Sequence, residues 1–321
     1  MKITLLIITF VLSILSNILL PFSGLLIPFV FLLSTSLFIA LAVRSNIVYS
    51  LFSAAFSIAI LYFLSNSVIL AAIFPLTCIL SATGVYIALK TKSDFKMTLL
   101  GGTAGYFLLI AAIYFVFGGN FVADAVAFIK AGFFESLDAL SASLPAGTDA
   151  STVAEIKSVY TLFFENLMVL APSLILSLIF LLSYFSIKIS SHWAKGSEMF
   201  AQIPAFSQMH APFILFMITV ISYAGQLSEN AFISGLMANL FMVLSVYYTL
   251  CGFSLIDFFI KRKTNSLVAR TFIMIGIIIV LTILSMFMPF ANPVLLAMFA
   301  GVMDTLFNYR LRAGNAPKNR T

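Results

Sequence analysis

The chain has 321 residues, 62% hydrophobic and only 9% charged, with a mean hydropathy of +1.14 and a net charge of +6. A soluble domain carries roughly 25% charged residues to cover its surface, so these few charges exclude a water-soluble particle of this size. A bilayer must be the solvent for most of the surface, and the basic excess points to membrane sidedness and anionic lipid, not to nucleic acid.

A crossing helix needs about 20 mostly apolar residues. In chain order the candidates are 3–20, 25–43, 47–64, 67–89, 97–117, 167–188, 211–226, 231–259, 271–288 and 293–309. Short polar or Pro/Gly turns such as Ser65-Asn66-Ser67 and Pro289-Phe290-Ala291-Asn292-Pro293 divide runs that are too long for one crossing. With the N-terminus inside, 15 of the 17 lysines and arginines fall on the inner side, and only Lys130 and Lys157 lie outside. That bias sets the expected orientation, with both termini in. Lys2 and the following apolar run resemble a signal peptide, but no small-residue cleavage site follows, so the first helix is expected to remain.

The expected fold is therefore all-α: a polytopic transmembrane helix bundle of about ten helices, N-in and C-in, with an amphipathic extracytoplasmic segment. The chain divides into a five-helix half over 1–117, an outer segment over 118–160 and a second five-helix half over 161–321. In the outer segment Val122, Val126, Ile129, Phe133, Leu137 and Leu140 recur at helical spacing, which predicts an amphipathic helix on or over the outer leaflet. Thr152-Val153-Ala154-Glu155 has the pattern of a capping box, and Pro172 predicts a kink in the helix that follows. The inner connector 189–210 carries Trp193, Met199, Phe200, Ile203 and Phe206 among polar residues, an interfacial pattern that would suit a plain membrane-surface connector or a cytoplasmic partner.

Ionisable groups deep in a membrane mark function because they are costly there, and this chain has almost none. Asp257 stands four residues before Lys261 and can pair with it along the helix. Asp304 lies six residues before Arg310, with Asn308 one turn on. Under a ligand-binding reading the polar candidates are Glu165 and Asn166 at an outer mouth, with Asn239 and Tyr223. Gly101-Gly102-Thr103-Ala104-Gly105 has the spacing that lets helices approach closely. Cys78 and Cys251 fall in apolar runs and are expected as core residues. No phosphate-binding loop, His-Glu-x-x-His or Cys-x-x-Cys occurs, His192 and His210 have no third ligand nearby, and no cofactor or metal is expected.

The stretch Asn239 to Arg312 resembles the YybS-like family of bacterial membrane proteins, whose defining domain has no known function. The resemblance rests on Tyr247-Tyr248-Thr249-Leu250-Cys251-Gly252-Phe253-Ser254-Leu255-Ile256-Asp257-Phe258-Phe259 before the basic Lys261-Arg262-Lys263. It rests also on the ending Gly301-Val302-Met303-Asp304-Thr305-Leu306-Phe307-Asn308-Tyr309-Arg310. It implies motif positions at Asp257, Gly301, Asp304, Asn308 and Arg310, a bacterial cytoplasmic membrane, and a distant likeness in fold to the substrate-binding subunits of energy-coupling-factor transporters and to MreD-type cell-shape proteins. The first segment lacks the Ala-x-x-x-Ala docking pattern such subunits often carry. Three functions stay open: a ligand-binding or transport subunit for a small neutral or amphiphilic molecule, vitamin-like or lipid-like, driven by a separate ATPase module; a non-transporting scaffold that recruits envelope growth or division proteins; and a lipid-headgroup enzyme resting on Asp304, Asn308 and Arg310.

Overall fold

The computed structural model describes residues 2–19, 21, 26–118, 120–142, 150–194, 197–201, 203–264 and 266–315. Among them lie twelve helices and no strand: α1 (Lys2–Leu19), α2 (Ile27–Arg44), α3 (Ile47–Ser65), α4 (Val68–Lys90), α5 (Phe95–Phe117), α6 (Phe121–Ala142), α7 (Ala150–Trp193), α8 (Phe213–Gly225), α9 (Ala231–Lys263), α10 (Leu267–Ser285), α11 (Pro293–Phe307) and α12 (Tyr309–Asn315). Each of the ten apolar segments read from the sequence holds a helix. Seven helices are long and apolar enough to cross a bilayer, and the apolar stretches Leu6–Leu19, Phe213–Gly225 and Pro293–Phe307 are shorter. At 1.5 Å per residue α8 measures about 20 Å, against roughly 30 Å of hydrocarbon. The 44 residues of α7 extend about 66 Å, so that helix must project beyond the bilayer.

Polar side chains set the helix ends. Asp94 accepts from Met97 N at 3.0 Å to start α5, and Asn230 accepts from Phe232 N and Ile233 N at 3.0 and 3.2 Å to start α9. Asn292 does the same for α11, with Pro293 in the first turn where its missing N–H is harmless. Asn66 and Asn308 adopt the left-handed conformation that closes α3 and α11. The expected cap at Thr152 falls inside α7, which already begins at Ala150.

Packing groups the chain differently from the five-and-five halves, into 1–168 with 175–203 and 169–174 with 204–321. In the first unit α2 is the central helix: every residue from Ser34 to Val43 is buried, among α1, α3 and α4. Helices α4 and α5 pack most closely, because a Cβ on Gly101 would lie 2.5 Å from Gly84 O and one on Gly105 2.1 Å from Thr77 O. The amphipathic helix is α6. Its Phe133 stacks 4.4 Å from Tyr160 of α7, and Lys157 pairs with Asp138 at 2.5 Å. Of the connector 189–210, the first residues continue α7 to Trp193, and two 3-10 turns follow. Glu198–Phe200 packs on α4 with Phe200 buried, whereas Phe206–Gln208 packs on α9 in the second unit.

In the second unit α9 is the axis. Helix α11 crosses it at glycines: a Cβ on Gly252 would lie 1.7 Å from Ala297 O, and one on Gly301 2.2 Å from Tyr248 O. Helix α8 packs along another side, and α10 is peripheral, with none of its residues buried.

Candidate functional site

The interior of the first unit is largely apolar, and among the described residues it holds a buried cluster of neutral hydroxyl and thiol groups. Tyr106 Oη donates to Thr35 Oγ1 at 3.1 Å and lies 3.4 Å from Ser186 Oγ, while Cys78 Sγ stands 3.5 Å from Thr35 Oγ1 and from Ser34 Oγ. All five side chains are buried, on α2, α4, α5 and α7. Ser81, Ser177 and Ser183 add buried hydroxyls that have no hydrogen-bond partner among the described residues. Such groups lose hydration without replacement unless water or a ligand reaches them.

On the outside of the same unit, α4 is flanked between residues 68 and 77 by two open apolar grooves. One of about 420 Å³ lies against α3, lined by Ala55, Ile58, Ala59, Tyr62, Val68 and Ala71. The other, of about 380 Å³, lies against α5, where Ala72, Ile73, Leu108 and Ala112 form much of its wall and Thr77 is the one polar lining residue among those described. Volumes of this size fall in the range of small-molecule sites, which are mostly apolar with a few polar groups.

The second unit holds the ion pairs. Arg310 Nε donates to Asp304 Oδ2 at 2.8 Å, Nη1 to Ser207 O at 2.6 Å, and Nη2 to Cys251 O and Ser254 Oγ at 3.2 and 3.0 Å. Both side chains are largely buried, at 13% and 4% exposure. In an unbroken helix, residues six apart point about 240° apart around the axis. The left-handed Asn308 ends α11 and lets α12 turn back, which is how Arg310 reaches Asp304. Ser254 Oγ also lies 2.5 Å from Phe206 O and 2.8 Å from Met209 O, so one polar node fastens α9, α11, α12 and the Phe206–Gln208 turn. Four of the five guanidinium hydrogens are engaged.

Asp257 does not pair with Lys261, four residues on. Arg270, across the α9–α10 turn, donates to its Oδ1 from Nε at 3.0 Å and from Nη2 at 2.5 Å, and Nη2 also reaches Oδ2. The fork matches a carboxylate in a way one ammonium cannot. Gly301 is one of the two glycines at which α9 and α11 meet. The motif candidates Asp257, Gly301, Asp304, Asn308 and Arg310 are thus all in the second unit, and the last four lie close to the α9–α11 crossing.

The four ligand candidates are not one cluster in either unit. Glu165 and Asn166 are exposed on α7 in the first unit. Tyr223, also exposed, packs its ring 5.5 Å from Phe241 in the second. Asn239 is engaged by main chain: Nδ2 donates to Val169 O and Gly235 O, both at 2.8 Å, and Oδ1 accepts from Ser173 N at 3.1 Å.

The model of the family described as predicted membrane protein (DUF2232) matches residues 7–305. The chain belongs to that family. No curated protein and no solved structure matches the chain. As a DUF2232 member with seven long apolar helices, it is a multi-pass membrane protein.

Sequence reading of this family member missed the neutral hydroxyl cluster, because serines and threonines are ordinary in membrane helices. A signal was present: Ser34-Thr35, Cys78, Tyr106 and Ser186 each interrupt an apolar run on a different helix. It also missed the partners of Arg310, since two are main-chain carbonyls and carry no sequence signature.

Proposed function

We propose that this protein is a membrane-embedded binding or transport subunit for a lipid-like amphiphile that carries no net charge where it is buried. The observation that carries this reading is the pair of apolar grooves along α4, together with a neutral hydroxyl interior in the same unit. Two adjacent grooves on either side of one helix suit apolar chains, and hydroxyls suit an uncharged polar portion. A charged ligand would find no counter-ion among Ser34, Thr35, Cys78, Tyr106 and Ser186. The YybS-like resemblance and its distant likeness to energy-coupling-factor subunits support the same class, with energy from a separate ATPase module. The reading includes ten crossings of a bacterial cytoplasmic membrane with both termini inside.

Photo-crosslinking in native membranes tests it. A diazirine-bearing alkyl amphiphile should label residues of 55–77 and 108–116 in preference to the more apolar α10. Uniform labelling of all lipid-facing helices would contradict the reading.

A second reading, a scaffold for envelope growth or division, is favoured by α10. None of Leu267–Ser285 is buried, so the helix is open to a partner's transmembrane helix. Under that reading, changes on α10 would abolish complementation of a deletion while changes in the grooves would not.

A further inference from the structure

The end of the second unit where α9 stops and α12 begins is basic and has no free acid. Residues 204–321 contain three carboxylates, Glu229, Asp257 and Asp304. Arg270 holds Asp257 and Arg310 holds Asp304. Glu229 precedes the other end of α9, and 33 helical residues extend about 50 Å. Among the described residues four cations remain: Lys261, Arg262 and Lys263 in the last turn of α9 and Arg312 in α12, all exposed. Arg262 Nη1 donates to Ala313 O at 2.9 Å, which ties the last turn of α9 to α12 at the residue that follows Arg312. Exposed apolar side chains adjoin them, Phe259, Leu267, Val268 and Leu311.

We propose that this basic end is a binding surface for the headgroups of anionic phospholipids. Cations beside an exposed apolar rim are what a protein needs at the boundary of a bilayer, where the rim enters the acyl region and the charges meet phosphate. Each Lys or Arg near an anionic leaflet contributes about fivefold in affinity. The two internal ion pairs make the surface selective, because they remove both nearby carboxylates that would repel an anionic headgroup. Arg262 positions α12 through Ala313, and Lys261, Lys263 and Arg312 meet the phosphate. A zwitterionic headgroup brings its own cation and gains little there. The inference does not depend on the amphiphile reading, which concerns the first unit.

The test is native mass spectrometry of the full chain in detergent, titrated with phosphatidylglycerol or phosphatidylcholine. Wild type should bind phosphatidylglycerol selectively, and added salt should weaken binding. The variant Lys261→Gln/Lys263→Gln/Arg312→Gln should bind it roughly 100-fold more weakly. Lys261→Arg/Lys263→Arg should bind as wild type does. Equal binding of the two lipids, an unaffected triple variant, or full displacement by millimolar inorganic phosphate would each overturn the proposal. The three side chains are exposed, so the melting temperature without added lipid should not change. Should the triple variant fail to fold, Lys263→Gln alone decides, with an expected loss of about fivefold.

Discussion

Ser173 gives its main-chain N–H to Oδ1 of Asn239 at 3.1 Å, while Nδ2 of the same carboxamide donates to Val169 O at 2.8 Å. In a regular helix these two backbone groups would pair with each other, four residues apart. Pro172 stands between them, and its ring disturbs the turn that precedes it. The side chain from α9 bridges two main-chain groups of α7 on either side of Pro172. This is how a membrane helix carries proline: a neighbouring helix satisfies the freed groups.

Asn239→Ala should therefore destabilise the protein by about 1–3 kcal/mol, the cost of leaving such groups without a partner. Asn239→Asp should do no better, because a carboxylate accepts from Ser173 but cannot donate to Val169. Thermal unfolding in a mild detergent measures both. A melting temperature unchanged in Asn239→Ala would show that the carboxamide is not what holds the turn.

Arg310 is a second structural centre. Arg310→Ala leaves Asp304 buried without its partner, which costs about 3–5 kcal/mol. Arg310→Lys should recover little of this, since one ammonium cannot reach Asp304 Oδ2, Ser207 O and Cys251 O in the geometry of a planar fork. Urea or thermal unfolding distinguishes these outcomes. Full stability in Arg310→Lys would mean that charge alone suffices.

Glycines provide an internal contrast. Gly252→Ala and Gly301→Ala place a Cβ against the main chain of the facing helix, which must separate, so each should destabilise by about 1–3 kcal/mol. Gly276 lies in α10 with nothing within 4 Å of an added Cβ. Gly276→Ala should be neutral or stabilise by up to about 1 kcal/mol, the difference in helix propensity. Equal effects at the three positions would contradict the α9–α11 crossing.

The positions of the helices were legible because apolar runs broken by Asn, Ser, Pro and Gly mark membrane helices directly. The Gly101–Gly105 spacing likewise announced a close helix approach, and the structure supplies α4 as the partner. Partner choice was less legible. The pairing of Asp257 with Lys261 followed the local four-residue rule, but the turn into α10 brings a better donor, Arg270, thirteen residues away. Asn239 and Pro172 each stood out, yet nothing in the sequence joins two residues 67 apart. The conformation of Asn308 decides where Arg310 points, and a single left-handed residue leaves only a weak trace in sequence.

The distribution of basic residues predicts a sidedness that labelling can check. With both termini inside, Lys130→Cys in α6 should react with a membrane-impermeant maleimide added to intact spheroplasts. Lys263→Cys should react only after permeabilisation. Labelling of both from the same side would overturn the expected orientation.

The central claim is that the grooves beside α4 hold an amphiphile, and native mass spectrometry of protein extracted gently from its own membrane tests it most directly. Wild type should retain one reproducible small molecule or lipid at fixed stoichiometry. Ala72→Phe/Ala112→Phe, which fills the α4–α5 groove, should lose it while remaining folded. Protein without a stoichiometric ligand, or the same ligand retained by the filled variant, would contradict the account.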